Sequence, residues 1–262
     1  MAMTKFKIES GVQLLARLVK KPEIANFYSN LFQPGLRSDD VVEIFGSTSF
    51  SSLLIDVISE ALLPKQIHER PLGVLLFNTV GQFNYIELIN IIKTKIESLK
   101  YAHEDRQSDK ESLLQKTLSN LFILDIYDAT QMYATIYNLD NILAKNQNIS
   151  LLIVDTLTAF YWSEQGFKIS KMDLYIKSLL KMIQKVSKEY KVIFLYTRPG
   201  YFGSSKDSDN LETSEVQISD GVNFKVQVLD KNSTGLYQVN VKTVDSYYKK
   251  SFCILDNGIK WQ

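Results

Sequence analysis

The stretch Val41-Val42-Glu43-Ile44-Phe45-Gly46-Ser47-Thr48-Ser49-Phe50-Ser51-Ser52 decides the fold. A short apolar strand enters a turn at Gly46, and an amphipathic helix leaves it through Leu53, Leu54, Val57, Ile58 and Leu62. Strand, turn and helix in that order are the setting of a phosphate-binding loop, whose pattern is G-x-x-x-x-G-K-[ST]. Counted without a gap from Gly46, the second glycine is Ser51, the lysine is Ser52 and the hydroxyl residue is Leu53. None of the three matches. The frame of a phosphate cradle is present and its chemistry is missing.

Working outward, short apolar runs alternate with helical periods. Strands are expected at Val41–Phe45, Val74–Thr79, Leu121–Tyr127, Leu151–Thr156 and Lys191–Thr197. Runs of this kind belong to strands buried on both faces of a parallel sheet. Asn84 with Glu87 predicts a capping box, followed by a helix with Ile86, Ile89, Ile92, Ile96 and Leu99 on its inner face. Asp128 with Gln131 opens another, striped by Met132, Ile136, Leu139 and Leu143. Ser170 with Asp173 opens a third, striped by Ile176, Leu179, Ile183 and Val186. Parallel strands need helical crossovers, so the pattern predicts a doubly wound α/β sheet.

The rhythm changes after Thr197. Residues Arg198–Asp220 are rich in Gly, Ser, Asp and Asn and read as a long loop. Alternating runs follow at Val222–Leu229 and Leu236–Val244, then Ser251–Leu255 and Ile259–Trp261 around Asp256-Asn257-Gly258. Asn-Gly favours positive φ at the turn, so the last pair predicts a hairpin. Lys100–Glu111 is charged and reads as a solvated loop or helix end. Residues 1–40 form a leader with an amphipathic helix over Glu9–Lys21, carrying Val12, Leu15, Leu18 and Val19 and ended by Pro22. The leader leaves no room for a separate N-terminal domain, and residues 41–262 form a single core.

Composition narrows the classes. A chain of 262 residues with 45% hydrophobic content can bury one large core. Lys+Arg 30 against Asp+Glu 29 gives no global field for nucleic acid, so any such contact needs a local patch. Cys253 is the single cysteine, which excludes an internal disulfide and fits a reducing compartment. His68 and His103 stand apart without cysteines, so no metal site is expected. No apolar run approaches about 18 residues, and the chain reads as a soluble intracellular protein without a membrane partner.

A second phosphate-site element is Leu151-Leu152-Ile153-Val154-Asp155, four apolar residues ending in a carboxylate. Such an aspartate holds the magnesium of a nucleotide in phosphate-loop NTPases; it also commonly caps the next turn in ordinary buried strands. Further stretches point one way: Glu9-Ser10-Gly11, Leu14-Leu15-Ala16-Arg17-Leu18, Asn30-Leu31-Phe32, Leu63-Pro64-Lys65, Leu157 and Ala159-Phe160-Tyr161-Trp162, and Phe252, Ile254 and Gly258. From about Glu9 to Trp261 the chain resembles the RecA-type recombinases, and more closely their eukaryotic paralogues. That resemblance implies a RecA-like phosphate-loop NTPase core with a parallel central sheet, helices on both faces and C-terminal antiparallel strands.

It also exposes two departures. Counting back from Leu63-Pro64-Lys65 puts Ser51 at the hydroxyl position, Phe50 at the lysine and Ser49 at the second glycine, with a turn two residues short. Phenylalanine offers no charge to phosphate, and a shorter loop without that glycine presents fewer N–H groups. The resemblance also implies a water-orienting carboxylate after the second strand, where Val80 stands. Asn78 or Gln82 could hydrogen-bond a water but are weak bases. Gly46, Ser51 and Asp155 are therefore expected to be a vestigial nucleotide site, with no catalytic residue and no cofactor.

By the same resemblance, the segments after the fourth and fifth strands face single-stranded DNA. They hold Lys168, Arg198, Tyr201 and Lys206 as DNA-binding candidates, with Phe167 and Phe202 nearby. Asp207, Asp209, Glu212 and Glu215 in the second segment oppose phosphate, and a plain solvated loop is the other reading. Leu15, Leu18 and Trp162 are candidate partner contacts or, equally, core. The implied function is a non-catalytic subunit of a nuclear hetero-oligomer in homologous recombination. It would bind another recombinase paralogue, of the D type by resemblance, and reach single-stranded DNA through the complex. A phosphate-loop ATPase with an atypical loop, or a scaffold outside DNA repair, are the competing classes.

Overall fold

A computed structural model describes residues 9–22, 24, 26–33, 35–46, 50–63, 71–98, 107–166, 171–202, 221–230, 235–255 and 257–262. Nine strands form one sheet: β1 (Val41–Gly46), β2 (Gly73–Asn78), β3 (Leu121–Asp125), β4 (Ile149–Asp155), β5 (Ile193–Pro199), β6 (Phe224–Leu229), β7 (Tyr237–Thr243), β8 (Tyr247–Leu255) and β9 (Gly258–Trp261). Their order is β3-β2-β4-β5-β1-β6-β7-β8-β9. The pairings from β3 to β6 are parallel, and those from β6 to β9 are antiparallel. The expected antiparallel extension runs from β6 to β9 and joins the core through β6, which lies parallel to β1. Strand β8 starts at Tyr247, ahead of the expected Ser251.

Among the described residues seven helices accompany the strands: α1 (Gly11–Leu18), α2 (Phe50–Leu62), α3 (Tyr85–Ser98), α4 (Gln107–Leu118), α5 (Ala129–Lys145), α6 (Tyr161–Gln165) and α7 (Met172–Glu189). One apolar layer joins α2 and α3 to alternate residues of the sheet, such as Val42, Ile44, Leu76 and Ile153. The other joins α5, α6 and α7 to Val41, Phe77, Val154 and Phe194. Strands covered on both faces cannot alternate in polarity, which is why they read as unbroken apolar runs.

Local expectations hold to different degrees. Asn84 Oδ1 accepts from the Glu87 N–H at 3.1 Å, as in a capping box, but the Glu87 carboxylate accepts from Asn84 Nδ2 at 3.1 Å rather than from its backbone. Asp128 Oδ1 accepts from the Gln131 N–H at 2.8 Å, and Met132, Ile136, Leu139 and Leu143 are all buried. Helix α3 turns a different face inward: Leu88, Ile91, Ile92 and Ile96 are buried, while Ile86 stands exposed. Leu99 and Ser170 lie outside the described residues. Helix α4 begins inside Lys100–Glu111, the charged stretch expected as a solvated loop or helix end.

The leader is not separate from the core. Ile24, Phe27, Tyr28, Leu31, Phe32 and Leu36 are buried in the α2–α3 layer, so the boundary at residue 40 divides the sequence but not the packing. A polar knot fastens it there. The buried Asp56 of α2 accepts from the Tyr28 hydroxyl at 2.5 Å and from Lys95 Nζ at 2.9 Å. Lys95 also donates to Ser59 Oγ and Glu60 Oε1, and Trp261 Nε1 donates to the Tyr28 hydroxyl at 3.3 Å. One carboxylate therefore links leader, α2, α3 and the final strand. Asp56→Ala should cost about 1–3 kcal/mol, because it leaves the buried Tyr28 hydroxyl without its acceptor while Lys95 keeps Glu60 as a counter-ion. Tyr28→Phe should cost only about 1 kcal/mol, both read by urea unfolding.

Candidate functional site

The carboxyl ends of parallel strands are where ligands bind in open α/β sheets. Here those ends are β1 at Gly46, β4 at Asp155 and β5 at Thr197–Pro199. Gly46 has φ +135°, and a Cβ on it would lie 2.0 Å from the Val228 carbonyl oxygen. Its own carbonyl accepts from the Gly200 N–H at 3.1 Å. The close approach of β6 and the turn after β5 are enough by themselves to require a glycine here.

Residues 47–49 of the loop lie outside the described residues. At the far side of the turn, Phe50 opens α2 and packs half-buried against the core, and Ser51 is exposed in the first helical turn. No lysine or arginine occurs between Gly46 and Leu63. Val80, at the position where the resemblance implies a carboxylate, is exposed just beyond β2.

A polar row crosses the sheet at this end. Register aligns Asp125 of β3 with Asn78 of β2, and Asn78 with Asp155 of β4. Asn78 Nδ2 donates to Asp125 Oδ1 at 2.7 Å, and its Oδ1 accepts from the Gly81 N–H at 3.1 Å. Asn78, considered as a water holder, is therefore engaged on both sides. The Thr197 hydroxyl donates to Asp155 Oδ1 at 2.6 Å. The Thr79 hydroxyl donates to the Thr156 carbonyl at 2.8 Å and accepts from the Thr156 N–H at 2.7 Å, and the Thr156 hydroxyl donates to the Thr197 carbonyl at 2.6 Å. The peptide between Asp155 and Thr156 is cis. Burial raises the Asp155 carboxyl above the usual aspartate range, opposed by the Thr197 hydroxyl. Asp155 could ligate magnesium there, but the sequence from Gly46 to Leu63 offers no lysine and no second glycine to hold a nucleotide's phosphates beside it.

Arg198 departs from the sequence expectation. Its side chain is inside the protein, with the residue only 2% exposed, so it cannot reach a DNA backbone. Its Nε donates to Glu43 Oε1 at 2.6 Å, its Nη1 donates to the Phe202 carbonyl, and the guanidinium lies 4.3 Å from the Phe45 ring centroid. Lys225 Nζ approaches the other Glu43 oxygen at 3.7 Å. Burial pushes the Glu43 carboxyl up, but Arg198 and Lys225 outweigh it and hold it below the usual range. Phe202 is buried too, 4.9 Å from Tyr161 in an edge-to-face pair. Tyr201 is exposed, while Lys168 and Lys206 lie outside the described residues.

The partner candidates divide. Trp162 is half-buried, with its ring 5.0 Å from Tyr161 and 6.4 Å from Phe202. Leu15 and Leu18 are exposed, Leu18 by 72%, and Val12 and Leu14 are exposed beside them. The opposite side of α1 is anchored: Ala16 is buried, Gln13 Nε2 donates to Asp140, and Lys21 Nζ donates to the carbonyls of Gln147 and Ile149 at 2.9 and 2.6 Å. Among the described residues, no group of three or more His, Cys, Asp or Glu could hold a metal. None of their helices is long and apolar enough to cross a membrane.

Comparison with known proteins agrees with this architecture. The chain is similar to the DNA repair protein XRCC2 of Mus musculus, 24% identical over 222 residues, covering 82% of this chain and 76% of the relative. It is also similar to the DNA repair and recombination protein RadB of Methanosphaera stadtmanae, 32% identical over 92 residues, covering 35% of this chain and 38% of that protein. No family model matches. The mixed sheet and these similarities together identify a RecA-like fold and bear out the resemblance to recombinase paralogues.

The site makes a pH prediction. A carboxyl whose folded pKa is raised favours folding most when protonated, and that contribution is lost as pH rises through the folded value. Asp155→Asn keeps a carbonyl for Thr197 and removes the buried charge. It should match the wild-type protein in acid and exceed its stability at pH 7, compared by denaturant unfolding across pH.

Proposed function

We propose that this chain is a structural, non-catalytic recombinase-paralogue subunit acting in DNA repair by homologous recombination. The observation that carries the reading is the state of the strand–turn–helix site: Gly46 serves β6, Phe50 replaces the phosphate lysine, and Val80 replaces the water-orienting carboxylate. Phosphoryl transfer is catalysed almost wholly by positioning and by charge around the phosphates. A site lacking the cation, the second glycine and the base has little with which to do either. The similarities to XRCC2 and RadB, both named for DNA repair, support the pathway.

Such a subunit acts through its surfaces. It docks on another recombinase paralogue, of the D type, in a nuclear hetero-oligomer that promotes loading of the strand-exchange recombinase on single-stranded DNA. The exposed apolar face of α1, Val12, Leu15 and Leu18, is the proposed docking surface, since an apolar patch on an anchored helix favours burial against a partner. Trp162, packed on Tyr161 and Phe202, serves that surface less well.

Affinity capture of the tagged chain from nuclear extract, followed by mass spectrometry, should recover a recombinase paralogue. Leu15→Glu with Leu18→Glu should abolish that capture while changing stability by no more than about 0.5 kcal/mol, as expected for exposed positions. Recovery of no paralogue would contradict the reading. Undiminished capture by the variant would move the interface elsewhere.

A further inference from the structure

We infer that the outer face of α7 is a track for the phosphate backbone of a nucleic acid, separate from the segments after β4 and β5; this rests on the DNA-repair reading above. Lys177, Lys181, Lys185 and Lys188 follow one another at intervals of four, four and three residues, which places them on one side of the helix. All four are exposed. At 1.5 Å per residue they span about 16 Å. The opposite side, Ile176, Leu179, Leu180 and Ile183, is buried in the sheet layer, so packing fixes the lysine face outward.

Charge is gathered here. Residues Lys171–Lys191 hold six lysines against Asp173 and Glu189, in a chain whose formal net charge is only +1. Those two carboxylates stand near the ends of the helix and do not interrupt the stripe. Among the described residues, the four lysines and Gln184 line a shallow hollow of about 450 Å³.

The stripe fits phosphates better than a protein. Protein interfaces centre on apolar residues. Apart from Leu174, near the start of the helix, α7 exposes no large apolar side chain. Lysines are flexible point charges that meet phosphates without reading bases, so the track positions a strand and carries no sequence preference.

The test is fluorescence anisotropy with labelled single-stranded and duplex oligonucleotides over a range of salt concentrations. Lys181→Gln with Lys185→Gln should weaken binding tenfold or more. It should flatten the plot of log K against log salt by about 1.4 for single strands and about 1.8 for duplex, the release expected from two lost phosphate contacts. Lys20→Gln with Lys145→Gln removes the same charge from elsewhere on the surface and should leave most of the affinity. Lys177→Gln with Lys188→Gln should repeat the loss, should the first pair lower the melting temperature. Equal losses from track and control pairs would overturn the inference. So would unchanged binding in the track variants, or wild-type protein that ignores oligonucleotides but binds polyglutamate or phosphatidylserine vesicles. Paralogue capture by the same variants separates the two readings: intact capture with unaltered DNA binding sinks the track alone. Lost DNA binding in a chain that captures no paralogue sinks the subunit reading alone.

Discussion

A carboxylate in the middle of a sheet needs a cation beside it, and the centre of this molecule is organised around that requirement. Glu43 is buried on β1, where Arg198 from β5 and Lys225 from β6 reach it from both neighbouring strands. Removing one partner of such a pair costs about 3–5 kcal/mol, because the other charge stays behind unpaired. The pair therefore helps lock β5, β1 and β6 together at the level of the strand that leads into the phosphate-loop position. It also sequesters Arg198, which strand register places opposite Phe45 at the end of β1 and which stacks over that ring. The tight seam continues at Gly46, where β6 comes too close for any side chain.

The functional reading follows from what this centre leaves available. Cations near the carboxyl ends of β1 and β5 are engaged in holding strands, and the residues of the polar row bond to one another. Asp155 keeps a fold role through Thr197 whether or not it ever meets a metal. What the molecule offers outward is different in kind: an apolar face on α1 and a basic face on α7, each on a helix whose other side is anchored.

Much of the fold was legible in the sequence for a physical reason. Strands β1, β2, β4 and β5 are buried on both faces and mostly apolar, and β3 is an apolar run at the sheet edge, so all five appeared as runs close to their observed bounds. Asn257-Gly258 marked the last hairpin, although Gly258, at φ +114°, pairs with Leu255 and opens β9 rather than sitting inside the turn. The inner face of α3 was misassigned because Ile86 and Ile89 are as apolar as Leu88 and Ile91, so periodicity could not choose the phase. Helix α4 escaped notice because Gln107–Leu118 has few apolar residues to mark a face. The site was half legible. The missing lysine and glycine could be read directly, but the burial of Arg198 could not. Its partner Glu43 lies 155 residues away, and an arginine at the start of a polar loop looks solvent-facing until the strands are paired. Asn78 and Asp125 were overlooked as a pair for the same reason, since only register joins them.

The central claim is that this RecA-like core does not use nucleotide. Isothermal titration calorimetry of the purified chain with ATP and magnesium tests it most directly. The account predicts no saturable heat up to about 1 mM, a binding free energy weaker than about 4.1 kcal/mol. A micromolar dissociation constant that disappears in Asp155→Ala would contradict it.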